Sequence, residues 1–220
     1  MAANRTIFGE NLAILDQKVF LLARKTMQQI ATTAEALEKY DQDIARGVIE
    51  NDNELDDLEL EINDDAILLI AKQQPVATDL RRIITAMKIS SDLERIADYA
   101  GNISKAVLRV ETFPYVIDIS LLKEAFETLL DMTETAIVAY RDGDVEKAKA
   151  LSDLDNIIDE TTYKALRQYM RHMSLQPIVV DEVMQFTNIC RYIERMGDHL
   201  TNVGEHLIYL EKGKHYDLNG

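Results

Sequence analysis

Apolar positions recur along this chain at intervals of three and four residues. Leu122, Ala125, Leu129, Met132, Ala136 and Ala139 form one such stripe, the pattern that buries one face of a helix. The same period runs through nearly the whole chain and predicts six helices. The first spans about residue 5 to Tyr40, and Asp41 can cap a second that continues to about Gln73. Pro75 suits an early position of the third, where a missing N–H costs little. That helix runs to about Val110 and ends before Pro114. The fourth covers about 118–141, after which RDGD at 141–144 supplies a break and an Asp cap. The fifth reaches about Met173, and Pro177 opens a sixth that ends near Lys212 and Gly213.

Landmarks in the first half return in the second. Gln74-Pro75 matches Gln176-Pro177, while Glu94, Asp98 and Asn102 match Glu194, Asp198 and Asn202. Asp52 and Asp56 match Asp155 and Asp159. Self-similarity of this kind marks two copies of one supersecondary unit. Three long helices per copy, joined by short turns, predict an all-α fold of two tandem antiparallel three-helix bundles. The expected units are residues 1–112 and 113–213, with 214–220 as a short tail and the boundary within ETFPYVID, 111–118. The competing arrangement is one elongated six-helix bundle without an internal boundary.

Composition narrows the function. With 8 Gly, 3 Pro and no Trp, the chain is poor in turn formers, which argues against a β architecture. Its 24 basic and 39 acidic residues give a net charge of -15. That balance opposes nucleic acid and anionic lipid as partners and favours cations or basic protein surfaces. A single cysteine, Cys190, cannot form an internal disulfide and sits in a helical pattern that suits packing. The opening MAANRTIFGE has no apolar core like that of a signal peptide. Apolar runs such as AILLIA at 66–71 are too short to span a membrane. A cytoplasmic protein without direct membrane insertion is the expectation.

The candidate chemistry lies in rows of carboxylates. Spaced four apart, Glu94, Asp98 and Asn102 form one polar strip along a helix, on roughly the opposite side from Ile89, Leu93 and Ile96. Glu194, Asp198 and Asn202 do the same, so both rows are expected on the surface. One acidic row is ordinarily a solvated face, its repulsion costing only about 0.2–0.5 kcal/mol per pair. The second helix changes that balance: from Glu50 to Asp65 nine of sixteen residues are acidic and none is basic. Counting back from the Pro75 turn puts Asp52 and Asp56 at the same height as Glu94 and Asp98. Asp155 and Asp159 stand equally toward Glu194 and Asp198. A close pair of unit charges repels by about 4 kcal/mol at an effective dielectric of 20. Such a quartet calls for protons, basic partners or bound cations. Arg95 and Arg195 could neutralise part of each row. Oxygen-only donors on a rigid scaffold suit iron, manganese, magnesium or calcium, and their number permits a multinuclear cluster. His199 reads as packing or a surface hydrogen bond. His172, His206 and His215 have no partner at a recognisable spacing. No nucleophile motif or glycine-rich phosphate loop is present.

At these residues the chain resembles a known family. ATDLRRIITAMKISSDLERIADYAGNI, preceded by QQP, looks like the signature region of the PhoU family of phosphate-transport regulators. ICRYIERMGDHLTNVGEHLIYL resembles that family's second repeat. The family's metal pattern, an acidic residue followed four positions later by Asp, is met by Glu94 with Asp98, Glu194 with Asp198, Asp52 with Asp56 and Asp155 with Asp159. The resemblance implies tandem three-helix bundles carrying surface metal clusters, and a homodimer. It also implies a non-enzymatic negative regulator of phosphate uptake and starvation signalling, linking the ATPase subunit of a phosphate ABC transporter to a sensor histidine kinase. PIVVDEVMQFTNICRYIERMGD in the second copy lacks the TDLR-like segment of the first, so the halves are not equivalent in sequence.

Three other functions compete. A di-iron or di-manganese enzyme would need inward-facing Glu and an ExxH pair, and the chain has no ExxH. A metal-free helical adaptor needs only the acidic faces. An accessory protein of another phosphate or anion transporter would keep the fold and change the partner.

Overall fold

The computed structural model describes the backbone of residues 2–110, 117–175 and 180–218, with side chains from 7 onward except 173–175. Six helices follow in order: α1 Ala2–Lys39, α2 Gln42–Gln73, α3 Ala77–Arg109, α4 Ser120–Asp142, α5 Val145–Leu175 and α6 Val180–Lys212. No strand occurs among the described residues. The helix count and type are those the periodicity predicts.

Local chemistry sets the ends. Asp41 caps α2 by accepting from the amides of Asp43 at 2.9 Å and Ile44 at 3.1 Å. Asp144 does the same for α5, from Glu146 at 3.0 Å and Lys147 at 3.1 Å, following Gly143 at φ 64°. Each cap satisfies amides that the first turn leaves without partners. Pro75 departs from expectation. Gln74 closes α2 in a left-handed conformation, its amide bonded to Ile70, and α3 starts only at Ala77 after Val76. Proline thus stops α2 rather than opening α3, the usual role of a proline just past a helix end. Pro177 and residues 111–116 of the expected boundary lie outside the described residues.

Within the first half, α1, α2 and α3 pack on one another; in the second, α5 packs on both α4 and α6, and α4 on α6. Across the halves α3 packs along α6, and α1 touches α4. The result is a layer in the order α2, α3, α6, α5, with α1 and α4 behind it. Two three-helix bundles lie side by side and share one continuous core, running from Leu15 and Ile30 through Ile96 and Ile103 to Ile193 and Leu200. Each such buried aliphatic contributes about 1.5–3 kcal/mol, so much of the stability rests on the α3–α6 seam. A buried polar clasp reinforces it behind: Asp16 of α1 accepts from the Tyr140 hydroxyl at 2.7 Å and from Arg82. The expected tail folds back. Leu218 receives a bond from the Ser152 hydroxyl at 3.0 Å and donates its amide to Glu205 at 2.8 Å.

Candidate metal centre

Two creases in the helix layer gather the predicted carboxylates. In the α2–α3 crease, Asp52 and Asp56 face Glu94 and Asp98 closely enough to perturb one another. Burial first, then Asp98, raises both aspartates above the usual carboxylate range. The same two causes push Glu94 up to about 7. In the α5–α6 crease, burial and the charges of Asp159, Asp198 and Glu194 push Asp155 up to about 7. Burial and Asp198 also raise Asp159, and burial with Asp159 raises Glu194. The antiparallel hairpins set equal heights, so residues about forty apart in sequence meet.

These rows are deeper than a surface strip. Asp155 is only 8 % exposed, and Asp52 reaches far enough inward to accept from Gln29 of α1 at 3.2 Å. A helix on a three-helix bundle touches two neighbours, so a strip opposite one of them still falls into the crease with the other. Glycines make the room. A Cβ at Gly197 would stand 2.3 Å from Asp155 Oδ1, and one at Gly101 would stand 3.4 Å from Asp52 Oδ2. On the outer rim, Arg95 pairs with Asp98 at 3.0 Å and Arg195 with Asp198 at 2.9 Å. Asn102 accepts from Lys105 at 3.4 Å. Asn202 donates to Asp92 at 3.4 Å, which engages it at the α3–α6 seam.

The donor set fits a hard cation. Its atoms are carboxylate oxygens, the ligands of magnesium, calcium, manganese and iron. Asp155 Oδ1 is buried with no hydrogen-bond partner, and a buried unpaired carboxylate oxygen is costly unless a proton or cation meets it. Among the described residues, no three acidic, His or Cys side chains form a ready-made ion cage. Asp98 and Asp198 are instead held by Arg95 and Arg195 on the rim.

One polar cluster escaped the sequence reading. Asp92 of α3 meets His199 Nδ1 at 2.8 Å and His206 Nε2 at 3.1 Å. Burial works to raise Asp92, but the two histidine hydrogen bonds outweigh it and hold the carboxyl below its usual range. Tyr99 lies against His199, with centroids 5.8 Å apart, and stacks on Tyr192 at 5.9 Å. Tyr99 and His199 are equivalent positions of the two repeats, as are Asp92 and Tyr192. The one available signal was that equivalence, once α3 is known to pack on α6. Cys190 is 3 % exposed, and burial pushes its thiol up to about 12, which leaves it a packing residue.

Comparison with known proteins decides the family. Residues 20–107 and 122–207 each match the PhoU domain. The chain belongs to the PhoU family. The phosphate-specific transport system accessory protein PhoU homolog of Clostridium acetobutylicum is 35% identical over 216 residues, covering 98% of this chain and 99% of that protein. PhoU homolog 1 of Thermotoga maritima is 32% identical over 208 residues, covering 94% and 90%. The crystal structure of the phosphate transport system regulatory protein PhoU from Streptococcus pneumoniae superposes with TM-score 0.89 at 27% identity, over 96% of this chain and 99% of that one. PhoU from Pseudomonas aeruginosa gives TM-score 0.89 at 26% identity, over 94% and 100%. Two family matches on one chain agree with the duplicated landmarks, and the six-helix fold of this PhoU-family protein is that of its solved relatives. No helix among the described residues is long and apolar enough to cross a membrane.

Proposed function

We propose that this protein is an accessory regulator of phosphate transport, non-enzymatic and cytoplasmic, that restrains phosphate uptake and starvation signalling. The names of its relatives support the coarse role. The finer role, coupling the ATPase subunit of a phosphate ABC transporter to a sensor histidine kinase, follows from the family resemblance. We further propose residues 1–112 and 113–213 as the two units and a homodimer as the working form. The exposed apolar stripe Ile7, Ile14 and Leu21 on the outside of α1 supports self-association through that face.

Metal binding is part of this proposal. Asp52, Asp56, Glu94 and Asp98 would hold one set of ions, and Asp155, Asp159, Glu194 and Asp198 the other. Asn102 and Asn202 stand at the edges. The ions would supply the positive charge that lets these carboxylates ionise together and would fix the surface a partner meets. The orphaned Asp155 oxygen carries this reading. A metal-free adaptor is the second reading, supported by the Arg95–Asp98 and Arg195–Asp198 pairs, which neutralise the outer rim internally.

Metal analysis of protein purified without added metals separates the two, together with D98A and D198A. The proposal expects bound iron, manganese, magnesium or calcium that falls stepwise with each substitution. No bound metal, with partner binding intact after chelation, defeats it in favour of the adaptor. A pull-down from phosphate-replete cells tests the regulatory half, expecting the transporter ATPase and the kinase. Recovery of components from a different anion transporter would reassign the partner.

A further inference from the structure

Beyond the carboxylates, each crease continues into an exposed apolar pad, and the pads are duplicated. Leu60 and Ile67 of α2 are 60% and 56% exposed; Tyr163 and Met170, at the equivalent positions of α5, are 59% and 53%. Ile84 of α3 is 37% exposed and its equivalent Met184 of α6 is 52%. At 100° per residue, Leu60 and Ile67 lie on the strip that carries Asp52 and Asp56, one to four turns further on. Ile84 likewise extends the strip of Glu94 and Asp98. In the second half, a cavity of about 640 Å³ reaches from Tyr163 and Leu166 of the pad side to Asp159, Glu160 and Glu194, whose three carboxylates outnumber Arg191 and Arg195 on the same wall. Isolated exposed apolar residues need no explanation. Six of them at three repeated positions, all continuing the carboxylate strips, form two matching half-sites.

We propose that these pads dock a homodimeric partner, each copy laying one amphipathic helix into one crease, with apolar side chains on the pad and Lys or Arg toward the carboxylates. Charge complementarity selects this occupant. A second copy of this chain, itself of net charge -15, would bring like-charged acidic rows together. An anionic lipid surface meets the same repulsion. Duplication supplies the symmetry, because two equivalent creases on one chain match two identical helices. This docking goes beyond the metal reading and does not require it.

The test places a photo-reactive side chain at Leu60, at Tyr163, or at Glu134 on the charged outer face of α4, in the full chain within its own cells. Leu60 and Tyr163 are expected to capture the same polypeptide, through a segment bearing Lys or Arg, in a complex holding two copies of it per chain. With that polypeptide purified, L60E or Y163E alone is expected to weaken binding about 100-fold, the loss of a bivalent grip, while the thermal melt stays unchanged. Four outcomes overturn the proposal: capture of a second copy of this chain, capture of lipid, different polypeptides at the two positions, or no capture above Glu134. A captured dimer with the expected basic helix but no link to phosphate transport would leave the docking surface standing and defeat the regulatory reading.

Discussion

The two creases hold the same four carboxylates and treat the innermost one differently. Asp52 accepts a hydrogen bond from Gln29. Asp155 has no partner on Oδ1 and is pushed up to about 7. At the matching offset from the Asp that caps the next helix, α4 carries Met132 where α1 carries Gln29. A thioether donates no hydrogen bond. The first crease therefore solves part of its charge problem within the fold, and the second leaves it to a proton or an ion. Duplication preserved the geometry while the supporting helix drifted, and the drift made the second crease the more demanding site.

The largest expected effect comes from the glycines. G197A puts a methyl 2.3 Å from Asp155 Oδ1, so the carboxylate must swing out, and ion binding at the second crease should fall at least tenfold in a calorimetric titration. G101A meets Asp52 at an ordinary 3.4 Å and should bind ions as before, with a gain of about 0.5–1 kcal/mol from helix propensity. Equal loss at both creases would erase the contrast.

Next comes the buried charge itself. D155N should stabilise the ion-free protein at pH 8 by roughly 1–3 kcal/mol in denaturant unfolding, because a neutral amide replaces an unpaired buried carboxylate. D52N keeps an acceptor for Gln29 and should change stability by less than about 1 kcal/mol.

The third concerns pH. Burial and neighbouring carboxylates push Glu94 and Asp155 up to about 7, above their ordinary values of 4.5 and 3.8. Between those limits the folded state holds protons that the unfolded chain has released, so stability falls as pH rises. Ion-free protein should melt at a higher temperature at pH 5 than at pH 8, and E94Q with D155N should flatten the slope. Saturating metal should flatten it as well. The smallest effect belongs to the rim: R95A and R195A each remove a largely exposed pair, worth about 0.2–1 kcal/mol, and should differ little from one another.

The helices and the repeat were legible because both are written locally. A stripe such as Leu122 to Ala139 needs no knowledge of its neighbour, and Asp41 and Asp144 cap within three residues of themselves. The pairing of Asp56 with Glu94 was also legible, since a hairpin with a short turn fixes the height of its arms. Proline chemistry misled at Pro75, where the same residue suits the end of one helix as well as the start of another. The apolar pads were hidden for a different reason: Leu60, Ile67 and Ile84 fit a core pattern equally well until the burial of each helix face is known.

The sequence by itself determined six helices, their duplication and the meeting of acidic rows, because each depends on period, caps and turn length. Only the tertiary structure decided how deep those rows lie and what shares their crease. Burial of Asp155, support of Asp52 by Gln29, and the bonds of Asp92 with His199 and His206 all need helices distant in sequence to touch. Those contacts depend on which faces pack across α1, α3 and α6, and no local pattern records that choice.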